Sequence, residues 1–229
     1  MKIGFTILCR HQSKRLPGKI LKPLFKDITV LDHLFNQLNM ITSGDNIIIG
    51  TSEEISDTPI VNHCKTKNYN YYRGSLNDVS NRFLKIAEEN NFDYLTRING
   101  DNLFISSETL IEMVNFAHNN DYDFLTNVPG RTFPYGMSLE IVKRKFYSSI
   151  IDKIKSVDRE HVTLHLYNHA IGNTKVFKNT TEPFLHGQKL AIDTLDDFTR
   201  AQKIVAFLVS NKKEYSLKNI SEAIKFIDE

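Results

Sequence analysis

Short apolar runs alternate with amphipathic stretches along most of this chain, and the alternation limits the folds that it can adopt. Strands are predicted over residues 3–9, 46–50, 69–72, 93–98, 122–127, 138–142 and 189–192. Helices are predicted from Thr29, over 56–66, after a cap at Ser75 or Asn77, and over 107–118, 143–155, 159–168, 196–210 and 218–228. This order is typical of βαβ units with right-handed crossovers, so we expect an α/β fold with a mainly parallel sheet.

No internal repeat, low-complexity tract or linker divides the 229 residues. A chain of this length can bury one sizeable core. We therefore expect one domain over residues 1–229, with about 128–188 as a peripheral element on the substrate side.

The charge balance bears on the class of partner. Lys and Arg total 29 and Asp and Glu total 27, so the formal net charge is only +2, which argues against nucleic acid as a partner. No apolar run approaches the roughly 20 residues of a membrane span, and the first eight residues do not resemble a signal peptide. The two cysteines, Cys9 and Cys64, fit a reducing compartment. We expect a cytoplasmic protein without a membrane partner.

The most charged segment is a ten-residue loop directly after the first predicted strand, and it contains four cations: Arg10, Lys14, Arg15 and Lys19. Charges this close repel one another unless an anion lies among them. Pro17 restricts the backbone and Gly18 frees it, so that Lys19 can be held towards a ligand. In parallel α/β sheets, ligands bind at the carboxyl ends of the strands. Although the spacing is not that of a P-loop, we expect this loop, which also contains Ser13, to bind a nucleoside triphosphate.

Two aspartates follow predicted strands, Asp101 after residues 93–98 and Asp193 after 189–192. A bound triphosphate needs a divalent cation, and proteins hold Mg²⁺ through one or two carboxylates, with phosphate oxygens and water completing the shell. Gly100 permits a close approach of the backbone to a ligand. Asp101 and Asp193 are therefore candidate Mg²⁺ ligands, while a role as a helix cap or turn residue, which is common for an aspartate after a strand, stays open.

A second group of candidate residues is the histidine series His161, His165 and His169, which lies on one face of the helix predicted over 159–168. A zincin motif would need Glu where Val162 stands, so metal binding is not expected there. The residues show no pattern of a serine or cysteine nucleophile, and Cys9 is interpreted as a small apolar residue that ends a strand.

Five ordered motifs resemble those of the cytidylyltransferases related to CMP-KDO and CMP-sialic acid synthetases, closest to the spore coat polysaccharide biosynthesis protein F subgroup. The motifs are Arg10-x-x-Ser-x-Arg-Leu-Pro-Gly-Lys19, Gly74-Ser-Leu-Asn-Asp-Val-Ser-Asn-Arg82, Arg97-Ile-Asn-Gly-Asp101, Arg159-Glu-His-Val-Thr163 and Ile192-Asp-Thr-x-x-Asp197. The resemblance implies a Rossmann-like nucleotidyltransferase fold that uses CTP and Mg²⁺ and releases pyrophosphate. It also implies a homodimer, because related enzymes are often dimers.

The resemblance assigns roles by matching position. Arg10, Ser13, Arg15 and Lys19 would hold the triphosphate, and Gly74, Asp78 and Arg82 would build the nucleotide pocket. Arg15, Lys19 and Asp101 would act in catalysis, with Asp101 and Asp193 as metal ligands. Glu140, Arg159 and His161 would bind a sugar or sugar-phosphate acceptor, which would be activated for surface polysaccharide synthesis.

The chain departs from the subgroup's pattern on the acceptor side. Asn102-Leu103 stands where the subgroup usually has a proline soon after Gly-Asp, and Tyr135 and Ser138 replace two acidic residues of the Pro-Asp-Gly-x-Asp-x-Glu element. The acceptor is therefore expected to differ in charge or hydroxyl pattern, and a free acidic sugar and a phosphorylated compound both stay open. UTP as donor, or a non-catalytic nucleotide-binding role, are the alternatives.

Overall fold

The apolar runs form the strands of a central sheet and of a small separate hairpin. The structure is a computed structural model that describes residues 1–13 and 15–228. The strands are β1 (Ile3–Leu8), β2 (Pro23–Phe25), β3 (Ile28–Thr29), β4 (Ile47–Ser52), β5 (Asn70–Gly74), β6 (Tyr94–Asn99), β7 (Phe124–Thr126), β8 (Glu140–Lys143) and β9 (Thr174–Val176). β2 and β3 form a separate small hairpin.

The amphipathic stretches form the helices that cover this sheet. They are α1 (Val30–Asn39), α2 (Thr58–Lys67), α3 (Val79–Glu89), α4 (Ser107–Asn119), α5 (Arg144–Ile150), α6 (Leu164–His169), α7 (Leu195–Ser210) and α8 (Leu217–Asp228). Thr29 caps α1 in a capping box with Asp32, as the predicted start at Thr29 required. The α3 cap is Asp78 rather than the predicted Ser75 or Asn77, because the Ser75 hydroxyl is used to accept the Asp78 backbone N–H.

The sheet order is β5-β4-β1-β6-β8-β7-β9. All neighbouring pairs are parallel except those that involve β8, which runs antiparallel to β6 and β7. The predicted α/β fold with a mainly parallel sheet is confirmed. Part of the segment 128–188 is built into this sheet as β8 and β9.

Each face of the sheet packs on its own set of helices. Alternate β1 residues such as Phe5 and Ile7 join a core with α1, α4, α7 and α8, whereas Leu8 joins a second core with α3, α5 and α6. Successive strand side chains point to opposite faces, which produces the two cores. The two layers leave the carboxyl ends of β1 and β6 uncovered at one edge of the sheet.

Two segments differ from their sequence-based predictions. Residues 189–192 are not a strand: they make only isolated backbone bonds, to Tyr135 and to Asp101 (Leu190 N to Tyr135 O 2.7 Å; Ile192 N to Asp101 O 3.2 Å). The segment lies beyond the end of β6, whose two sides are already paired with β1 and β8. The helix predicted over 159–168 is also interrupted, at Val162.

In the part of the chain that the structure describes, none of the helices has the length and apolar character needed to cross a membrane.

Candidate active site

A cavity of about 310 Å³ opens at the carboxyl ends of β1 and β6. Eight of the predicted site residues line it: Arg10, Ser13, Arg15, Lys19, Arg82, Asp101, His161 and Asp193. Arg97 and Glu160 line it as well. Five cationic side chains therefore face three carboxylates among the described lining residues, and the positive excess favours an anionic ligand. Lys14, predicted to belong to this group, lies outside the described residues.

The loop after β1 is folded back by backbone bonds. Gly18 adopts a left-handed φ of 70°, which glycine accepts without steric cost, and its N–H donates to the His11 carbonyl at 2.8 Å. The His11 N–H donates to the buried Asp57 carboxylate at 2.7 Å. Burial by itself would raise the pKa of Asp57, but hydrogen bonds from Ser52 and from the His11 N–H outweigh it and lower the pKa. Asp57 thus anchors the loop as a carboxylate, a role that no motif in the sequence indicated.

Lys19 contacts the two segments that carry the cavity aspartates Asp101 and Asp193. Its Nζ donates to the Ile192 carbonyl at 2.6 Å and lies 3.6 Å from the nearer Asp101 carboxylate oxygen. Gly100 lets the turn before Asp101 pack closely on the end of β1, since a Cβ there would lie 2.8 Å from the Cβ of Cys9. The Lys19 side chain is 13% exposed, so its charge is largely removed from bulk water.

Asp193 reaches the cavity without a strand before it. The bond from Ile192 N to the Asp101 carbonyl places the two aspartate segments side by side. One Asp193 oxygen accepts from Arg15 at 2.6 Å, and the other lies 3.4 Å from Lys189. The loop after β1 and the segment before α7 are therefore joined across the opening by an ion pair.

Asp101 and Asp193 fit the donor set that Mg²⁺ prefers. Both carboxylates line one open cavity, and no cluster of three or more His, Cys, Asp or Glu residues able to hold a metal is found among residues 1–13 and 15–228. Two carboxylates with room for phosphate oxygens and water is the usual Mg²⁺ arrangement, in contrast to an all-protein cage.

Arg82 is a buried cation without a hydrogen-bond partner among residues 1–13 and 15–228. It lies on α3, is 6% exposed, and its Nε and Nη1 are buried without a hydrogen bond to any described residue. Burial lowers the pKa of Arg82. An unpaired buried charge is costly unless a ligand compensates it, so the cavity is built for a group that accepts hydrogen bonds at this point.

Three other predicted residues, Gly74, Asp78 and Arg159, do not line the cavity and instead support the residues around it. Asp78 caps α3 and pairs with Arg159 at 2.6 Å. Arg159 also donates to two backbone carbonyls, of Ile151 and Ile154. A Cβ on Gly74 would lie 3.2 Å from Cγ of Arg82, so this glycine makes room for the arginine. These contacts tie α3 to the segment after α5.

The helix predicted over 159–168 is interrupted at Val162. A 3₁₀ helix (Ser156–His161) ends there, and α6 begins at Leu164. Val162 has φ 45°, a rare conformation for a β-branched residue, and its carbonyl accepts from the buried Tyr147 hydroxyl at 2.7 Å. The break turns His161 to the cavity, so the three histidines do not share one helix face. Strain of this kind is concentrated at functional sites.

Glu140 also stands behind the cavity. It is 2% exposed and accepts from Arg97 at 2.5 Å, Thr163 at 2.7 Å and Tyr167 at 2.6 Å. Its two oxygens are thus already bonded within the protein. The cavity residue in this network is Arg97, which belongs to the Arg-x-Asn-Gly-Asp motif. It lies two positions before the end of β6, so strand periodicity could have indicated that it shares a face with Asn99.

Cys9 lines the cavity but is not a candidate nucleophile. Burial raises the pKa of its thiol well above the ordinary range, and Cys64 raises it further. The reactive species of a cysteine is the thiolate, so this side chain acts as a small apolar residue, as the sequence predicted.

Comparisons with known proteins show the family and the fold of this chain. The cytidylyltransferase family profile matches residues 5–222. The chain is 32% identical to the spore coat polysaccharide biosynthesis protein SpsF of Bacillus subtilis, over 86% of this chain and 83% of that protein. A cytidylyltransferase structure from Leptospira borgpetersenii superposes with a TM-score of 0.90 at 29% identity, covering 100% of this chain and 95% of that one. A CMP-2-keto-3-deoxy-manno-octonic acid synthetase solved with CTP shares the fold at 14% identity and a TM-score of 0.66, covering 90% and 99% of the two chains.

Proposed function

This chain belongs to the cytidylyltransferase family, and on that premise we propose that it transfers the cytidylyl group of CTP to a sugar-like acceptor, with release of pyrophosphate. The observation that carries the proposal is the convergence of Lys19, Asp101 and Asp193 at one cavity. A largely buried ammonium that lies 3.6 Å from Asp101 and bonds the carbonyl of the residue before Asp193 suits a triphosphate that arrives with a divalent cation. The similarity to SpsF supports a product used in surface polysaccharide synthesis.

The loop after β1 is proposed to hold the triphosphate. Arg10, Ser13, Arg15 and Lys19 line the cavity on this side, and two of them are now paired with carboxylates, Arg15 with Asp193 and Arg10 with Glu160 at 3.3 Å. Phosphate oxygens can replace those carboxylates as hydrogen-bond acceptors. Arginine can then bind them through two parallel bonds.

Asp101 and Asp193 are proposed to hold Mg²⁺. When bound, this ion would neutralise charge on the phosphates and align their oxygens. Before a ligand binds, Asp101 lies beside Lys19, and Asp193 lies between Lys189 and Arg15, the latter of which would then turn to the phosphates. Lys19 and Arg15 would stabilise the charge that builds on the departing pyrophosphate, since positioning and electrostatic stabilisation account for most of the catalysis of phosphoryl-type transfer.

The remaining predicted residues would either contact a substrate or support a residue that does. Arg82 would contact the nucleotide, with Gly74 and Asp78 supporting α3 around it. His161 would face the acceptor, with Arg159 holding the segment that carries it. A homodimer is part of the proposal on the same family resemblance, and light scattering of the purified protein tests it.

Release of pyrophosphate tests the proposed reaction. The protein is incubated with each nucleoside triphosphate, Mg²⁺, and a panel of 3-deoxy-2-ulosonic acids, aldose 1-phosphates, polyol phosphates and neutral sugars. Release with CTP and an acceptor, but not with UTP, ATP or GTP, is expected. Release with UTP alone would change the assigned donor. Tight binding of CTP and Mg²⁺ without turnover of any acceptor would favour a non-catalytic nucleotide-binding protein.

A further inference from the structure

Resting on the proposed function, we infer that Arg97 binds an anionic group of the acceptor, a carboxylate or a phosphate, and that Glu140 is the positioning residue that aims it. The inference names the residue that would bind the acid group of the acceptor, which the sequence did not indicate. Arg97 belongs to a row of polar side chains across the sheet.

Cross-strand pairing places this row under α3, α5 and α6. Arg97 on β6 pairs in register with Thr6 on β1 and with Glu140 on β8, and Glu140 pairs with Thr126 on β7. A charged pair in the interior of a sheet does little for stability, because desolvation of both ions offsets their attraction. A pair at such a position, with its arginine at the wall of a cavity, is better explained by recognition of a ligand.

Glu140 is saturated by protein groups. One of its oxygens accepts from Arg97 Nη1 at 2.5 Å, and the other accepts from Thr163 and Tyr167. Tyr167 is fixed in turn by a 2.7 Å bond with the Thr126 hydroxyl. Because Glu140 is 2% exposed, it has no free lone pair directed at a solute, and its effect on a ligand must pass through Arg97.

Arg97 keeps part of its guanidinium free. Nη1 bonds Glu140 and the Thr163 hydroxyl at 3.1 Å, whereas Nε is buried without a partner among the described residues. No described residue accepts from Nη2 either. Nε and Nη2 form one edge of the planar group, and such an edge matches the two oxygens of a carboxylate or phosphate.

The position of Arg97 favours the acceptor over the nucleotide. Both of its side-chain partners, Glu140 and Thr163, come from the segment 128–188, which the sequence assigned to the substrate side. Arg97 and Asp101 are four residues apart, at most about 14 Å of chain, and both line the same cavity. One small molecule held at Arg97 can therefore present an oxygen to a nucleotide held near Asp101.

The test separates acceptor binding from nucleotide binding. Arg97→Lys keeps the charge and loses the planar guanidinium, and Arg97→Ala removes both. Glu140→Gln removes the negative charge that positions the Arg97 side chain. Arg73→Lys is the matched control, because Arg73 also lies on a strand and donates to backbone carbonyls but does not line the cavity. Each variant is assayed for CTP binding by calorimetry and for acceptor KM and kcat with the acceptor panel, each anionic compound being paired with its neutral analogue.

The inference predicts that wild-type protein uses only anionic acceptors, and the panel decides between carboxylate and phosphate. Arg97→Lys should raise the acceptor KM at least 10-fold, Arg97→Ala at least 100-fold and Glu140→Gln about 10-fold. CTP affinity should stay within twofold in every variant, and 20–50 mM guanidinium should restore part of the Arg97→Ala activity. A preferred neutral acceptor, an unchanged KM, or an equal loss of CTP affinity would overturn the inference. Failure of the wild-type protein to bind CTP would instead remove the proposed function on which it rests.

Discussion

The ammonium of Lys19 lies 3.6 Å from the Asp101 carboxylate and donates at 2.6 Å to the carbonyl of Ile192, the residue before Asp193. One lysine therefore contacts both segments that carry the proposed metal ligands. A triphosphate entering the cavity would meet a cation that is already oriented. Preorganised charge of this kind lowers the barrier because little reorientation is needed during reaction.

Lys19→Met is expected to lower kcat by about 100- to 1,000-fold, the range found when one preorganised group that stabilises developing charge is removed. The fold should persist, because the loop after β1 is also held by the bonds from Gly18 to His11 and from His11 to Asp57. Lys22→Met is the control, since Lys22 is close in sequence and does not line the cavity. Steady-state release of pyrophosphate measures the effect. Equal activity in the two variants would remove Lys19 from the mechanism.

Asp101→Asn and Asp193→Asn are expected to abolish most Mg²⁺-dependent turnover, by about 100-fold or more, while the fold is retained. An amide oxygen carries no negative charge and attracts Mg²⁺ less than a carboxylate does. Calorimetric titration of CTP with and without Mg²⁺ should show that the ion strengthens binding to wild type and has little effect in the variants. Asp196→Asn, an exposed change beside the site, should behave like wild type. Retained Mg²⁺ dependence in both cavity variants would place the metal elsewhere.

Arg82→Met is expected to have opposite effects on stability and on binding. Removing an unpaired buried cation should raise the free energy of unfolding of the ligand-free protein by about 1–3 kcal/mol. CTP affinity should fall at least about 10-fold, since the cation that faces the ligand is lost. Chemical denaturation and calorimetry measure the two effects. Lys85→Met, an exposed change on the same helix whose ion pair with Glu88 is a surface one, should change neither by much. A destabilised variant with normal CTP affinity would show that Arg82 is structural.

Stability should fall between about pH 6.5 and pH 4 because of His33. Burial lowers the pKa of His33 from 6.5 to about 4, so the unfolded chain takes up a proton over this range and the folded chain does not. The stability that neutral His33 preserves is fully present above pH 6.5 and is lost as the pH falls, and the loss by pH 4 is at most about 3 kcal/mol. Urea denaturation across this range should show a shallower pH slope in His33→Gln. His118→Gln, an exposed change, should keep the wild-type slope, and identical slopes in all three proteins would contradict the assignment.

The sequence predicted the central sheet because its strands are short apolar runs bounded by helices with clear apolar stripes. It failed at residues 189–192, which have the composition of a strand but lie past the end of β6, where no edge is left to pair with. It failed at residues 159–168 because the break at Val162 depends on tertiary contacts such as the Tyr147 hydrogen bond, which leave no mark on local periodicity.

The candidate site could be predicted where function places charge in short motifs. Three of the loop cations, Arg10, Arg15 and Lys19, line one cavity together with Asp101 and Asp193. The supporting contacts could not be predicted, because Asp57 with His11 and Arg97 with Glu140 are joined only by the fold. Position in a motif also did not distinguish a residue that lines the cavity, such as Arg82, from one that holds it in place, such as Asp78.

The position of a bound metal is the sharpest test of the proposed site. Crystals of the protein grown with CTP and Mn²⁺ in place of Mg²⁺ allow the metal to be located by anomalous scattering. We predict an anomalous peak within about 2.2 Å of a carboxylate oxygen of both Asp101 and Asp193, with the triphosphate among Arg15 and Lys19. A nucleotide bound outside this cavity, or a metal that touches neither aspartate, would contradict the account.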